Sequence, residues 1–288
     1  MGGAAIVTPM LIFVFGIPAP IAVSTDVVSA AAMKPVGAAV HVMRRTPHLR
    51  IVFWMCVGSI PGVILGTVAF RAIVNGSAGS EMMRTFIGCA LLFSVAMSLG
   101  RLRLTRYFSA NANRPIFLSA KRRVTIVIIG LVVGTLVGLT SVGSGSLVAA
   151  AILMMFPAML PSRLVGTDLA QAVPMLIVGA VAHWGLGEID WSVAISLLIG
   201  QVPGVWLGAR VSSRYDGQAL RLLVLIMVGA SGLALVGVPP VPVGLITLVC
   251  TVAIGFPIVF DAIRDRNVDD TEPESELVDR STGGSGPD

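Results

Sequence analysis

Charge is scarce in this chain. Only 12% of its 288 residues are Asp, Glu, Lys or Arg, against 55% apolar, and its mean hydropathy is +0.91. That composition excludes an ordinary water-soluble domain. Cysteine is scarce too: Cys56, Cys89 and Cys250 stand singly in apolar stretches. This excludes a disulfide framework and a cysteine metal site, and leaves three inert core residues. The period-two alternation of a membrane barrel is missing. No nucleotide loop, zinc spacing or nucleophile elbow occurs, so no cofactor and no metal is expected. A charged leader is lacking, because Met1-Gly2-Gly3 opens straight into an apolar run. The formal charge of +5 does not point to nucleic acid. The basic residues lie between apolar runs, where they act as topology signals.

What the chain does have is long apolar runs, among them Ile51 to Phe70, Val124 to Leu139, Ser192 to Gly208 and Val241 to Phe260. Each is long enough to cross a bilayer as a helix. The expected fold is all-α, a polytopic transmembrane helical bundle in the cell (plasma) membrane, with the lipid bilayer as its surroundings. Spans are expected near 3–17, 21–43, 51–73, 82–100, 124–140, 145–158, 164–184, 190–211, 218–237 and 240–260.

The runs form two copies of one pattern in a register of 142 residues, so that Thr25-Asp26 recurs as Thr167-Asp168. Gly37 recurs as Gly179, His41 as His183, Gly58 as Gly200, Pro61-Gly62 as Pro203-Gly204 and Gly66 as Gly208. Paired repeats around a shared midline are a common plan of secondary transporters. The organisation expected is a first transmembrane repeat over 1–100, which starts without a counterpart of the 124–140 span, and a basic loop over 101–123. A second repeat over 124–237, an extra helix over 238–260 and a disordered acidic tail over 261–288 follow.

The loop from Arg101 to Arg123 carries seven basic residues and no acid, which places it in the cytoplasm by the positive-inside rule. The Arg44 to Arg50 loop and the Arg210 to Arg221 stretch then fall inside, and the acidic turn Gly187 to Asp190 falls outside. This count favours inverted repeats. A four-span unit with parallel repeats is the alternative, if 124–158 is one broken crossing.

Several polar residues interrupt the apolar runs. Gly143, Ser144 and Gly145 separate two short segments, and Gly2 and Gly3 are their first-copy counterparts. Glycine-interrupted segments at matching places mark a transporter's substrate site, although an ordinary turn or close helix packing reads equally from the residues. Asp26 and Asp168 lie inside spans, where a carboxylate either handles protons or ions, or caps a helix start. His41 and His183 are candidates for the same coupling role, or satisfied residues at span ends. Lys34 sits mid-span, where a cation needs a carboxylate or an anionic substrate, and its counterpart is Leu176. Gln171 is a further polar group facing the same region. Pro61 and Pro203 permit helix kinks, and the glycine stripes at 58/62/66 and 200/204/208 predict close helix contact.

These residues resemble the TauE/SafE family of sulfite and organosulfonate exporters. The resemblance rests on Gly143-Ser144-Gly145, Val165-Gly166-Thr167, His183, Gly187-Glu188-Ile189-Asp190-Trp191 and Pro203-Gly204. In the first copy it rests on Gly2-Gly3, Val23-Ser24-Thr25, His41 and Pro61-Gly62. It covers about residues 1–237 and implies a non-enzymatic secondary transporter, an exporter of small anions such as sulfite or sulfonates, driven by an ion gradient. An intramembrane enzyme acting on lipid or peptide, and a non-transporting membrane scaffold, stand as alternatives. A homo-oligomer stays open.

Overall fold

The computed structural model describes residues 3–76, 79–108, 118–143, 145–156, 159–186, 189–212, 217–239 and 243–245. Gly2, Ser144, the turn residues 187–188, most of 240–260 and the whole 261–288 tail lie outside them. The described chain is helical, with no strand among those residues. Nine helices follow one another: α1 (Gly3–Phe13), α2 (Ala19–Met43), α3 (Leu49–Val74), α4 (Gly79–Phe108), α5 (Ala120–Thr140), α6 (Ser146–Met155), α7 (Pro161–Trp184), α8 (Trp191–Ser212) and α9 (Gly217–Leu235). Those over Leu49–Val74, Gly79–Gly100, Ala120–Thr140 and Ser162–Trp184 are long and apolar enough to cross a membrane.

Local chemistry sets the ends. Pro20 stands in the first turn of α2 and Pro161 opens α7, positions where a missing N–H costs nothing. The Ser119 hydroxyl accepts from the Arg122 N–H at the start of α5, and α5 stops at Ser141, which takes the left-handed conformation at φ 59°. α1 ends at Phe13, short of the expected residue 17, and the chain turns at Gly16 (φ 66°). α4 runs past residue 100 to Phe108, taking in the front of the basic stretch. α3 and α8 stay helical through Pro61 and Pro203, so neither proline ends its helix. Arg122 lies over the Phe156 ring and Arg123 over the Trp54 ring, both at 5.7 Å, which ties the start of α5 to its neighbours.

The tightest packing joins α3 to α5. A Cβ added at Gly58, Gly62 or Gly66 would run into the backbone at Val127, Leu131 or Thr135. A Cβ at Gly130, Gly134 or Gly138 would run into the backbone at Met55, Ser59 or Val63. Both sets of contacts advance together, so the helices run parallel with their backbones in direct contact. In lipid, helices gain nothing by hiding from water, and such close approach supplies the association energy. The second stripe behaves differently. Gly200 and Gly204 have no neighbour where a Cβ would stand and are exposed, so the close contact expected there is not made at these two positions.

The asymmetry predicts unequal tolerance. Gly62→Val or Gly134→Val forces two backbones apart, at a cost of about 1–3 kcal/mol or more, and lowers the thermal midpoint of detergent-solubilised protein. Gly204→Val leaves the midpoint nearly unchanged. Equal losses at all three positions would contradict this packing.

Candidate functional site

Helices α2 and α7 occupy equivalent places in the two copies and lie against each other in opposite directions. Near one end, Ser24 of α2 meets His183 of α7. Further along, Val27 faces Gly179 and Gly37 faces Leu169. At the other end Gly166 of α7 lies against Thr46, just beyond α2. The contacts climb α2 as they descend α7. Midway between the two glycine contacts, Ala32 stands at the level of Pro174, where equivalent positions of the two copies coincide.

The hydrogen bonds obey the same exchange. The Asp190 backbone N–H donates to the Thr25 hydroxyl at 3.2 Å, and the His48 backbone N–H donates to the Thr167 hydroxyl at 2.9 Å. The second bond is the first with each residue replaced by its counterpart. Asp190 also caps α8, accepting from the Ser192 hydroxyl and from the Ser192 and Val193 N–H groups. The Ser192 hydroxyl and these N–H groups hold its carboxyl below the ordinary carboxylate range. His48, in the matching place before α3, makes no side-chain cap. Burial, with Arg163 and Arg50 nearby, lowers its pKa from the usual imidazole value.

His183 is fully buried. A carbonyl only accepts, so its Nε2–H donates to Gly138 at 2.8 Å, and Nδ1 accepts from the Ser24 hydroxyl at 3.0 Å. Phe70 packs edge-on against the ring, centroids 4.8 Å apart. The neutral ring thereby ties α2, α3, α5 and α7 together. The counterpart of Ser24 is Gly166, which has no hydroxyl to offer His41. Thr46 fills the space where a Cβ of residue 166 would be, and its hydroxyl lies 3.0 Å from His41 Nδ1 while donating to the His41 carbonyl.

Asp26 and Asp168 lie seven residues inside α2 and α7, so capping is excluded for both. Each is buried, about 9 Å along its helix from the Ala32–Pro174 level, on opposite sides of it. Asp26 Oδ2 accepts from the Thr8 hydroxyl at 2.7 Å and the Ser141 hydroxyl at 2.8 Å. It thus joins α1 and α2 to the break between α5 and α6, which puts Gly143 and Gly145 close by in the chain. Lys34 is half-buried, two residues from the midpoint. It interacts electrostatically with Asp168 and, more weakly, with Asp26. Gln171 follows Asp168 by three residues, on the same face of α7. It is fully buried, and the Ser59 hydroxyl donates to its Oε1 at 3.4 Å. Gly3 opens α1.

The arrangement brings Lys34, Asp168 and Gln171 to one side of the midpoint and Asp26 and His183 to the other, and leaves His41 at the far end of α2. Thr8, Thr46 and Ser59 were missed by sequence reasoning as site residues. They are small hydroxyl residues in apolar runs, and only their contacts set them apart. Among the described residues no cluster of His, Cys, Asp or Glu could hold a metal ion.

His183→Leu strands the Ser24 hydroxyl and the Gly138 carbonyl in apolar surroundings, at about 1–3 kcal/mol for each group. The thermal midpoint falls sharply. His41→Leu costs less, because the Thr46 hydroxyl keeps its bond to the His41 carbonyl. A His41 loss as large as that of His183 would overturn the assignment of His183 as the central tie.

The chain resembles several proteins of Bacillus subtilis (strain 168). It is 35% identical over 237 residues to the probable membrane transporter protein YjnA, covering 82% of this chain and 92% of that one. To the probable membrane transporter protein YdhB it is 23% identical over 239 residues, 81% of this chain and 91% of the other. No solved structure matches it. The family model described as sulfite exporter TauE/SafE matches residues 1–235. With that match and its apolar helices, this multi-pass membrane protein belongs to the TauE/SafE family of membrane transporters.

Proposed function

We propose that the protein is a secondary transporter of small anions, sulfite, sulfonates or related sulfur-containing anions among them, built from inverted repeats and coupled to protons. The observation that carries this reading is that the antiparallel packing of α2 on α7 puts Lys34 and Asp168 on the same side of the Ala32–Pro174 level, where the two interact electrostatically. The opposite directions of these equivalent helices, and the paired Thr25–Asp190 and Thr167–His48 bonds, support inversion about an axis through the Ala32–Pro174 level. The family description names sulfite, which suggests the substrate class.

The proposed mechanism follows from charge. A cation in the hydrocarbon interior is tolerated beside a carboxylate. Bringing an anion to Lys34 while Asp168 stays ionised would bury an extra negative charge, at a cost of several kcal/mol. Protonation of Asp168 removes that excess and frees Lys34 to hold the anion, so anion and proton load together. Asp26, clamped by Thr8 and Ser141, takes the equivalent part on the other side of the midpoint. Gly3 at the start of α1, and Gly143 and Gly145 at the break before α6, are assigned to the path, where they offer backbone N–H groups at glycine positions. His41 and His183 hold the two ends of the α2–α7 pair.

In proteoliposomes, an inward proton gradient is expected to drive anion uptake. Lys34→Leu reduces flux to background. Asp168→Asn retains anion exchange and loses the response to the gradient, because residue 168 then carries no charge and binds no proton at any pH. Full gradient-driven flux in both variants would sink the assignment.

A further inference from the structure

Gln171 and Gln201 are not counterparts, yet they belong to one scheme. The counterpart of Gln171 is Ser29, and that of Gln201 is Ser59. The Ser59–Gln171 pair joins α3 to α7. Exchanging the copies turns it into Gln201 with Ser29, on α8 and α2, which also pack together. Both amides therefore belong to the second copy and both serines to the first, and the exchange of copies relates one amide and serine position to the other.

The two pairs are in different hydrogen-bonding states. On the α3–α7 side, Ser59 donates to Gln171 Oε1, and the buried Gln171 Nε2 has no partner. On the α2–α8 side, the Ser29 hydroxyl donates instead to the Asp26 carbonyl of its own helix, and Gln201 Oε1 is buried without a partner. A buried amide group with no partner costs about 1–3 kcal/mol, and in lipid no water is at hand to relieve it. Fully buried Gln171 is oriented by Ser59 so that both N–H bonds remain to be filled. It stands one helical turn from Asp168, on the side of the midpoint that holds Lys34.

We propose that Gln171 and Gln201 are paired substrate-reading stations, one on each side of the midpoint, and that their amides select anions bearing hydrogen-bonding oxygen atoms. The proposal rests on the transport reading above and deepens it. Lys34 attracts negative charge of any kind. An amide with two N–H donors distinguishes an oxyanion, which accepts both, from a halide or thiocyanate, which matches that geometry poorly. Gln201, whose amide can turn either end toward a ligand, offers the same reading on the other side.

The test uses the full chain in detergent and in proteoliposomes, with sulfite, methanesulfonate, chloride and thiocyanate as probes. Gln171→Met keeps the volume and removes the donors. It is expected to weaken oxyanion binding about tenfold to a hundredfold, the factor for one hydrogen bond to a charged group, while thiocyanate inhibition is unchanged. The readouts are the oxyanion-dependent rise in thermal midpoint and the KM of flux. Gln201→Met shows the same selective loss in flux.

The double exchange Ser59→Gln with Gln171→Ser copies the arrangement of the other pair and restores oxyanion selectivity, which guards against a mere folding defect in Gln171→Met. Unchanged selectivity in both Met variants overturns the proposal while leaving transport intact. Equal loss for all anions, or a failed rescue by the double exchange, also overturns it. Absence of flux in the unaltered protein counts against the transport reading, and the thermal shift then judges the stations separately.

Discussion

Hydrocarbon has no hydrogen bonds to offer, and this constraint shapes the whole structure. Each hydroxyl, imidazole and carboxylate inside the bundle must find its partner in the protein. The chain meets the demand partly within its helices, where hydroxyls bond the carbonyl one turn back, and partly across the boundary between its copies. Ser24 reaches His183, Thr25 reaches Asp190, Thr167 reaches His48 and Ser141 reaches Asp26. The polar residues that would cost most within one copy are therefore what hold the two together. Apolar surface does the remaining work facing outward, where Phe53, Leu65, Val68, Ile128 and Ile177 lie exposed with lipid as their natural neighbour.

The duplication does not enforce identity. Where the first copy has Ser24, the second has Gly166, and Thr46 moves into the vacated space to serve His41. Where the second copy has apolar Leu176, fully buried, the first has Lys34. α2 and α7 meet near equivalent positions, while Lys34 on α2 has a leucine as its counterpart on α7. Symmetry fixes where the helices meet, and the exceptions to it fix the chemistry.

Much of this was legible before any coordinates. Among the described residues nine helices stand close to the apolar runs, because a run of about 20 apolar residues has few other fates in a membrane. Thr25-Asp26 and Thr167-Asp168 stood out as matched polar pairs, but attention fell on the acids. The threonines carry the exchange-related bonds, and a hydroxyl in an apolar run costs too little to attract notice. The helix-cap alternative for the aspartates failed because α2 begins at Ala19 and α7 at Pro161, about two turns before Asp26 and Asp168. The glycine stripes read alike in the two copies, yet Gly58, Gly62 and Gly66 are packed while Gly200 and Gly204 are not. Sequence displays the small residues and says nothing of which helix comes to them. The Ser29/Gln171 and Ser59/Gln201 alternation was present in the register all along, hidden because neither position is identical between copies.

The interlock of α3 with α5 has a mechanical consequence. By sequence α5 opens the second copy, but its backbone is pressed into that of α3 along three successive turns on each side. The two behave as one plank, and the second copy's leading arm travels with the first copy. A rearrangement that simply hinged one half of the chain away from the other would have to tear this seam. The contact of α2 with α7 is of a different kind, formed by side chains and single hydrogen bonds rather than by backbones.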